Sequence, residues 1–145
     1  MKTVTFCGHS TIATEEILLI EEKLYIEIEK FIQQGVKEFL LGGYGKFDIM
    51  CAKAVKKLKG KYPHITSVLI IPYMYMDYNK ELYDCSEYPP IENVPRRYAI
   101  LKRNEYMINR AECVIAYVKY SIGGAAKTYQ YAMRKNKEII NLAVI

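Results

Sequence analysis

The sequence lacks closely paired cysteines and long apolar runs, and both absences narrow what the chain can be. Its four cysteines, Cys7, Cys51, Cys85 and Cys113, form no CxxC pair. Neither a disulfide framework nor a zinc site is therefore expected, and Cys7 and Cys113 lie in apolar strand-like runs where a thiol acts as a small core residue. Uninterrupted apolar runs such as Val68-Leu69-Ile70-Ile71 are only a few residues long, against the ~20 that a membrane span needs. No secretory leader follows Met1-Lys2, so the expected compartment is the cytoplasm. Internal repeats and low-complexity tracts are also missing. What remains is a chain of 145 residues, 51% hydrophobic and 26% charged. That suits one folded domain over residues 1–145.

The net charge of +5 is unevenly spread. Residues 1–95 carry 11 Lys/Arg against 13 Asp/Glu, whereas residues 96–138 carry ten against three. A basic C-terminal third suits a phosphate-bearing partner, either a nucleotide or a nucleic-acid backbone. The same side chains also serve simply to keep helices soluble.

The hydrophobic period alternates between strand and helix. Thr3 to Cys7 reads as a strand. Ile17, Ile20, Leu24, Ile28 and Phe31 then form one stripe of a helix from Thr14 to Gln34, with Thr14 as its N-cap and Gly35 as its stop. Further strands are expected over 36–41, 66–71, 113–118 and 138–142, and further helices over 48–58, 96–109 and 125–135. Between Pro72 and Pro95 lies a long irregular stretch rich in tyrosine, a composition that argues for packing or ligand stacking. Alternation of this kind predicts a doubly wound α/β fold with a mainly parallel sheet of five strands.

In such sheets ligands bind beyond the C-terminal strand ends, where strand order reverses. Three strand-to-helix turns there hold six of the eight glycines: Gly8-His9-Ser10-Thr11, Gly42-Gly43-Tyr44-Gly45-Lys46-Phe47-Asp48, and Ser121-Ile122-Gly123-Gly124-Ala125-Ala126-Lys127-Thr128. Glycine lets backbone N–H groups approach an anion, and the following helix points its positive end at the same place. Ser10, Thr11, Ser121 and Thr128 offer hydroxyls and Lys127 a charge. The third turn is not a P-loop, because Ser121 and Ala126 stand where GxxxxGK[ST] needs glycine; the second is not GxGxxG, because Asp48 takes the last glycine position. His9 stands at the mouth of the expected site, suited to hydrogen bonding or acid/base work, while His64 after Pro63 reads as surface. Asp48 is expected to cap the second helix and is also suited to accept from a ribose hydroxyl, two roles that do not exclude one another. Arg103-Asn104, late in the third helix, reads on composition alone as solvent-facing.

Phe6-Cys7-Gly8-His9-Ser10, the glycine pair before the Asp48-led helix, Arg103-Asn104-Glu105-Tyr106-Met107-Ile108, Cys113–Val118, and Gly123-Gly124 with Lys127-Thr128 together resemble the SLOG superfamily. This is the Rossmann-like group that includes the DNA-processing protein DprA and the LOG enzymes. The similarity is greatest to its YpsA-like branch and spans nearly the whole chain. The resemblance implies a nucleotide-type ligand across the first and third glycine turns, with the second beside it and Arg103 and Asn104 supporting the crevice. It names no further cofactor and no metal. The GGxGTxxE motif of the LOG enzymes is not reproduced: Ala126 falls on the third glycine, Lys127 on the threonine and Gln130 on the glutamate. Glutamine cannot act as a carboxylate base.

Three functions follow as expectations. The first is a module that binds or senses a nucleotide or nucleotide-derived ligand, which explains the glycine turns and the missing glutamate. The second is a nucleotide N-glycosidase, which needs a carboxylate or His9 near the sugar. The third is a single-stranded nucleic-acid binder, using the basic residues and tyrosines. Self-association stays open, since the sequence identifies no interface.

Overall fold

The computed structural model describes residues 2–143. In chain order the elements are β1 (Thr3–Gly8), α1 (Ile17–Gln33), β2 (Glu38–Leu41), α2 (Gly45–Lys59), β3 (Thr66–Ile70), β4 (Cys85–Glu87), α3 (Ala99–Arg110), β5 (Cys113–Tyr117), α4 (Gly124–Arg134) and β6 (Glu138–Asn141). Short 3₁₀ turns at Thr14–Glu16 and Arg96–Tyr98 lead into α1 and α3. All six strands lie parallel in the order β4-β3-β2-β1-β5-β6.

Alternate residues of each strand serve the two faces, and both faces are buried. Phe6, Phe39, Leu69 and Ile115 pack with the stripe Ile20, Leu24, Ile28 and Phe31 of α1 and with Cys51, Val55 and Leu58 of α2. On the opposite face Val114 and Ala116 meet Ala126 and Ala132 of α4, and Leu40, Val68 and Ile70 meet Met107 of α3. Helices therefore cover both sides, and the chain winds outward from β1 first to one edge and then to the other. Among the described residues no helix is long and apolar enough to cross a membrane.

Two expectations about elements are corrected. The sheet has six strands rather than five: Cys85–Glu87 pairs with β3 at the edge, inside the tyrosine-rich stretch. A three-residue strand with a free outer edge needs no apolar run, so no periodicity marks it. Its Glu87 is anchored by Arg110, whose guanidinium also reaches Glu38 of β2 at 2.9 Å, and by the Tyr106 hydroxyl. Thr14 does not cap α1. It lies inside the 3₁₀ turn, and neither that turn nor α1 has a side-chain cap. Gly35 does end α1, at φ +102°, with the Val36 N–H returning to the Phe31 carbonyl at 3.0 Å.

Within the tyrosine-rich stretch Tyr83 is buried, Tyr78 and Tyr88 pack on the core, and Tyr73 lies 4.1 Å beneath the Arg96 guanidinium. Packing accounts for these rings. Tyr75 alone among them is almost fully exposed.

Candidate functional site

Winding reverses between β1 and β5, so the turns leaving these two strands diverge to opposite faces and leave a crevice above their ends. A cavity of about 490 Å³ occupies that crevice. Its floor is the end of β1, from Phe6 to Gly8, continued by His9, Ser10 and Thr11. One wall is the start of α4, with Gly123, Gly124, Ala125 and Thr128. Ile100, Arg103, Asn104 and Met107 of α3 form another, and Tyr44, Asp48 and Tyr120 complete it. The volume is that of a small-molecule cleft.

The glycines divide by role. Adding a Cβ to Gly8 would place it 2.2 Å from the Phe47 ring, and to Gly43 2.6 Å from Leu69; Gly45 stands at φ +88° against the Ser10 backbone. Gly42 is wedged between the Asp48 carboxyl and the Arg103 guanidinium. These four let the first and second turns and the adjoining helices close on one another, and the Lys46 N–H bonds the Ser10 carbonyl at 2.9 Å across the join. Gly123 and Gly124 are different. A Cβ on either would meet nothing within 4 Å. Gly123 has φ +101°, which favours glycine, but nothing in the fold requires it at Gly124, the first residue of α4. Bare backbone at the positive end of α4 thus faces open space.

Arg103 is 3% exposed despite its charge. Its Nη1 donates to the carbonyls of Gly42 and Ile70, each at 2.8 Å, and its Nε to Asn104 Oδ1 at 2.9 Å. The guanidinium therefore ties the ends of β2 and β3 together and orients Asn104, leaving Nη2 without a protein partner among the described residues. It stands in the first half of α3, not late in the helix, and it is buried rather than solvent-facing. The signal for this was in the sequence: Ala99, Arg103 and Met107 recur every four residues along one face, and all three are buried.

Asp48 is not the N-cap expected of it: α2 begins at Gly45 after Tyr44 and has no side-chain cap, and Asp48, the fourth residue of the helix, accepts from the Tyr44 N–H at 3.4 Å. Desolvation pushes its carboxyl up to about 7, with the Arg103 charge and the Tyr44 N–H opposing. His9 Nε2 accepts from the backbone N–H groups of Lys119 and Tyr120 at 2.8 and 3.3 Å. That pins the β5–α4 turn to the β1–α1 turn and leaves the proton on Nδ1. Burial, with help from the Lys119 charge, holds His9 below its ordinary value. Lys119 also pairs with Glu16 at 2.9 Å, a second tie between the same turns.

Of the residues expected at the site, Gly8, His9, Ser10, Tyr44, Asp48, Arg103, Asn104, Gly123, Gly124 and Thr128 border the cavity. Thr128 bonds back to the Gly124 carbonyl at 3.0 Å. Gly42, Gly43 and Gly45 lie behind the lining, while Ser121 and Lys127 are exposed outside it, as is Gln130. Ile100, Met107 and Tyr120, which no glycine turn or motif marks as site residues, also line it. A second cleft of about 510 Å³ between α1 and α2, bordered by Glu21, Glu22, Lys53 and Lys57, holds none of the three turns except Lys46. Among the described residues no group of three His, Cys, Asp or Glu side chains is placed to hold a metal ion.

A family model, the YspA SLOG family (YpsA), matches residues 11–144. The chain is similar to the SPbeta prophage-derived protein YoqJ of Bacillus subtilis strain 168, with 27% identity over 141 residues covering 81% of this chain and 82% of that protein. Among solved structures, DNA processing protein A of Streptococcus pneumoniae superposes with a TM-score of 0.68 at 17% identity, covering 96% of this chain. The chain spans only 49% of that protein. The protein TM1055 has a TM-score of 0.65 at 16% identity, covering 96% of this chain and 72% of its own. DNA processing protein A of Helicobacter pylori, described for its single-stranded DNA binding mode, has a TM-score of 0.65 at 15% identity, covering 95% of this chain and 63% of its own. At these identities the structural likeness is one of fold.

Proposed function

The chain belongs to the YspA SLOG family, and from that footing we propose that it is a nucleotide-binding module whose cavity holds a phosphate-bearing ligand at the start of α4. The observation that carries this reading is the open space above Gly123 and Gly124. Their N–H groups supply donors at the positive end of a helix, and the unpaired Nη2 of Arg103 adds a fixed cation on the facing wall. Asn104 and Asp48 are placed to meet sugar hydroxyls. His9 shapes the turn rather than reacting, because its Nε2 lone pair is already used.

The test is a calorimetric or thermal-shift titration of the chain against nucleoside monophosphates, ADP-ribose, NAD and cyclic nucleotides. Saturable binding of at least one is expected. No stabilisation by any of them at millimolar concentration overturns the reading.

A second reading, N-glycosidic hydrolysis, is favoured by one observation. Asp48 is a carboxyl in the cavity whose proton affinity lies near neutral pH, where general acid/base work is efficient. Release of free base from a nucleoside monophosphate, lost in Asp48→Asn, supports that reading; no release leaves binding alone. Single-stranded DNA, the ligand named for the Helicobacter relative, is the rival occupant. It is recognised by affinity that falls steeply with salt and does not respond to mononucleotides.

A further inference from the structure

The polar groups of the cavity suit phosphate and sugar; its exposed apolar surface is mostly aromatic. Tyr44 and Tyr120 both border the cavity, and both rings lie largely in solvent, 67% and 63% exposed. A single exposed tyrosine is ordinary. Two from different elements at the mouth of one cavity, beside Ile100 at 44% exposure, present an apolar face that the fold leaves uncovered.

Their backbones are nonetheless fixed. The Tyr44 N–H is held by Asp48 at the start of α2, and the Tyr120 N–H by His9 Nε2. The Tyr120 ring also leans on the His9 imidazole, with centroids 5.1 Å apart and planes 41° apart. Neither hydroxyl makes a hydrogen bond among the described residues. These are anchored rings with free faces, and ordering them around a flat partner costs little, since a tyrosine has only two side-chain torsions to fix.

We propose that Tyr44 and Tyr120 form a stacking slot for a planar heterocyclic base, so that the ligand is a base-bearing nucleotide rather than a bare sugar phosphate. The proposal rests on the phosphate reading above for where the other end of the ligand lies. Stacking tolerates any base, because every base presents a π-face.

The experiment titrates the full chain calorimetrically with AMP, GMP, CMP, UMP, the four parent nucleosides and ribose 5-phosphate. It is repeated on Tyr44→Ala, Tyr120→Ala and their Tyr→Phe counterparts, with far-UV circular dichroism and melting as checks on folding. At least one mononucleotide should bind about tenfold or more tighter than ribose 5-phosphate. Each alanine variant should weaken that mononucleotide by about five- to tenfold while leaving ribose 5-phosphate unchanged, and the phenylalanine variants should retain it.

Ribose 5-phosphate binding as tightly as every mononucleotide refutes the slot and leaves the phosphate reading intact. So does an equal loss of both ligands in the alanine variants. Tyrosine-dependent binding of nucleosides with no gain from the phosphate keeps the slot and refutes the phosphate cradle. Binding of none of these probes overturns both.

Discussion

Replacing Asp48 by Asn should flatten the pH dependence of stability between pH 4 and 7. The carboxyl titrates at its ordinary value of 3.8 in the unfolded chain and at about 7 in the folded protein. Between those values the folded state holds a proton that the unfolded state has released. The contribution is therefore complete below pH 4 and is lost as pH rises through 7. At 1.36 kcal/mol per pH unit, the three-unit span corresponds to roughly 4 kcal/mol. The side chain borders the cavity and is only partly buried, and screening there should reduce this to ~2 kcal/mol.

The neighbours do not confuse the signal. Burial raises the Cys7 and Cys51 thiols and pushes the Tyr83 hydroxyl up to about 12, so all three stay neutral over this range. Arg103 stays charged. Urea denaturation of the native chain and Asp48→Asn at half-unit steps from pH 4.5 to 8 measures the difference directly. The native chain should lose ~2 kcal/mol relative to the variant as pH rises to about 7. A difference that is constant with pH, or that runs the other way, shows that the Asp48 carboxyl is not raised in the folded protein.

Arg103→Met should destabilise the fold by about 2–5 kcal/mol, because it strands the carbonyls of Gly42 and Ile70 in the interior; chemical denaturation reads it, and a loss under 1 kcal/mol contradicts the burial described. Two glycine substitutions should separate packing from ligand approach. Gly8→Ala should cost about 1–3 kcal/mol by driving a methyl into Phe47. Gly124→Ala should be neutral or stabilise by up to ~1 kcal/mol, yet weaken binding of any nucleotide that the native chain takes; melting and titration of both proteins check this. His9 is held below its ordinary 6.5, so acid conditions below that value should protonate Nε2. That removes the acceptor for the Lys119 and Tyr120 amides and accelerates their hydrogen exchange relative to the neighbouring β5 amides.

How much of this was legible in the sequence depends on which residues carried the signal. Strands buried on both faces declare themselves through consecutive apolar residues, as Val114-Ile115-Ala116 does, and α1 through its stripe from Ile20 to Phe31. The edge strand at Cys85–Glu87 is held by backbone pairing and by the Arg110 ion pairs rather than by apolar burial, so it left no periodic trace. Thr14 looked like a cap, but the 3₁₀ turn that absorbs it can be seen only in three dimensions. The glycine turns were legible as a group. Their division was not, because whether Phe47 or empty space faces a glycine is a fact of packing. Arg103 was readable in principle from its four-residue spacing with Ala99 and Met107. Tyr120 was not, since an exposed ring in a turn looks the same in sequence whether or not a cavity lies beside it.

Receipt of a phosphate at the start of α4 underlies the whole nucleotide reading. Amide chemical-shift mapping with a ¹⁵N-labelled chain tests it most directly, by titration with the best-binding mononucleotide and with inorganic phosphate. The largest shifts should fall on Gly123, Gly124 and Ala125, with smaller ones at Gly8 and His9 across the cavity. Saturable shifts confined to the α1–α2 cleft, or none at Gly123–Ala125 under saturating ligand, contradict it.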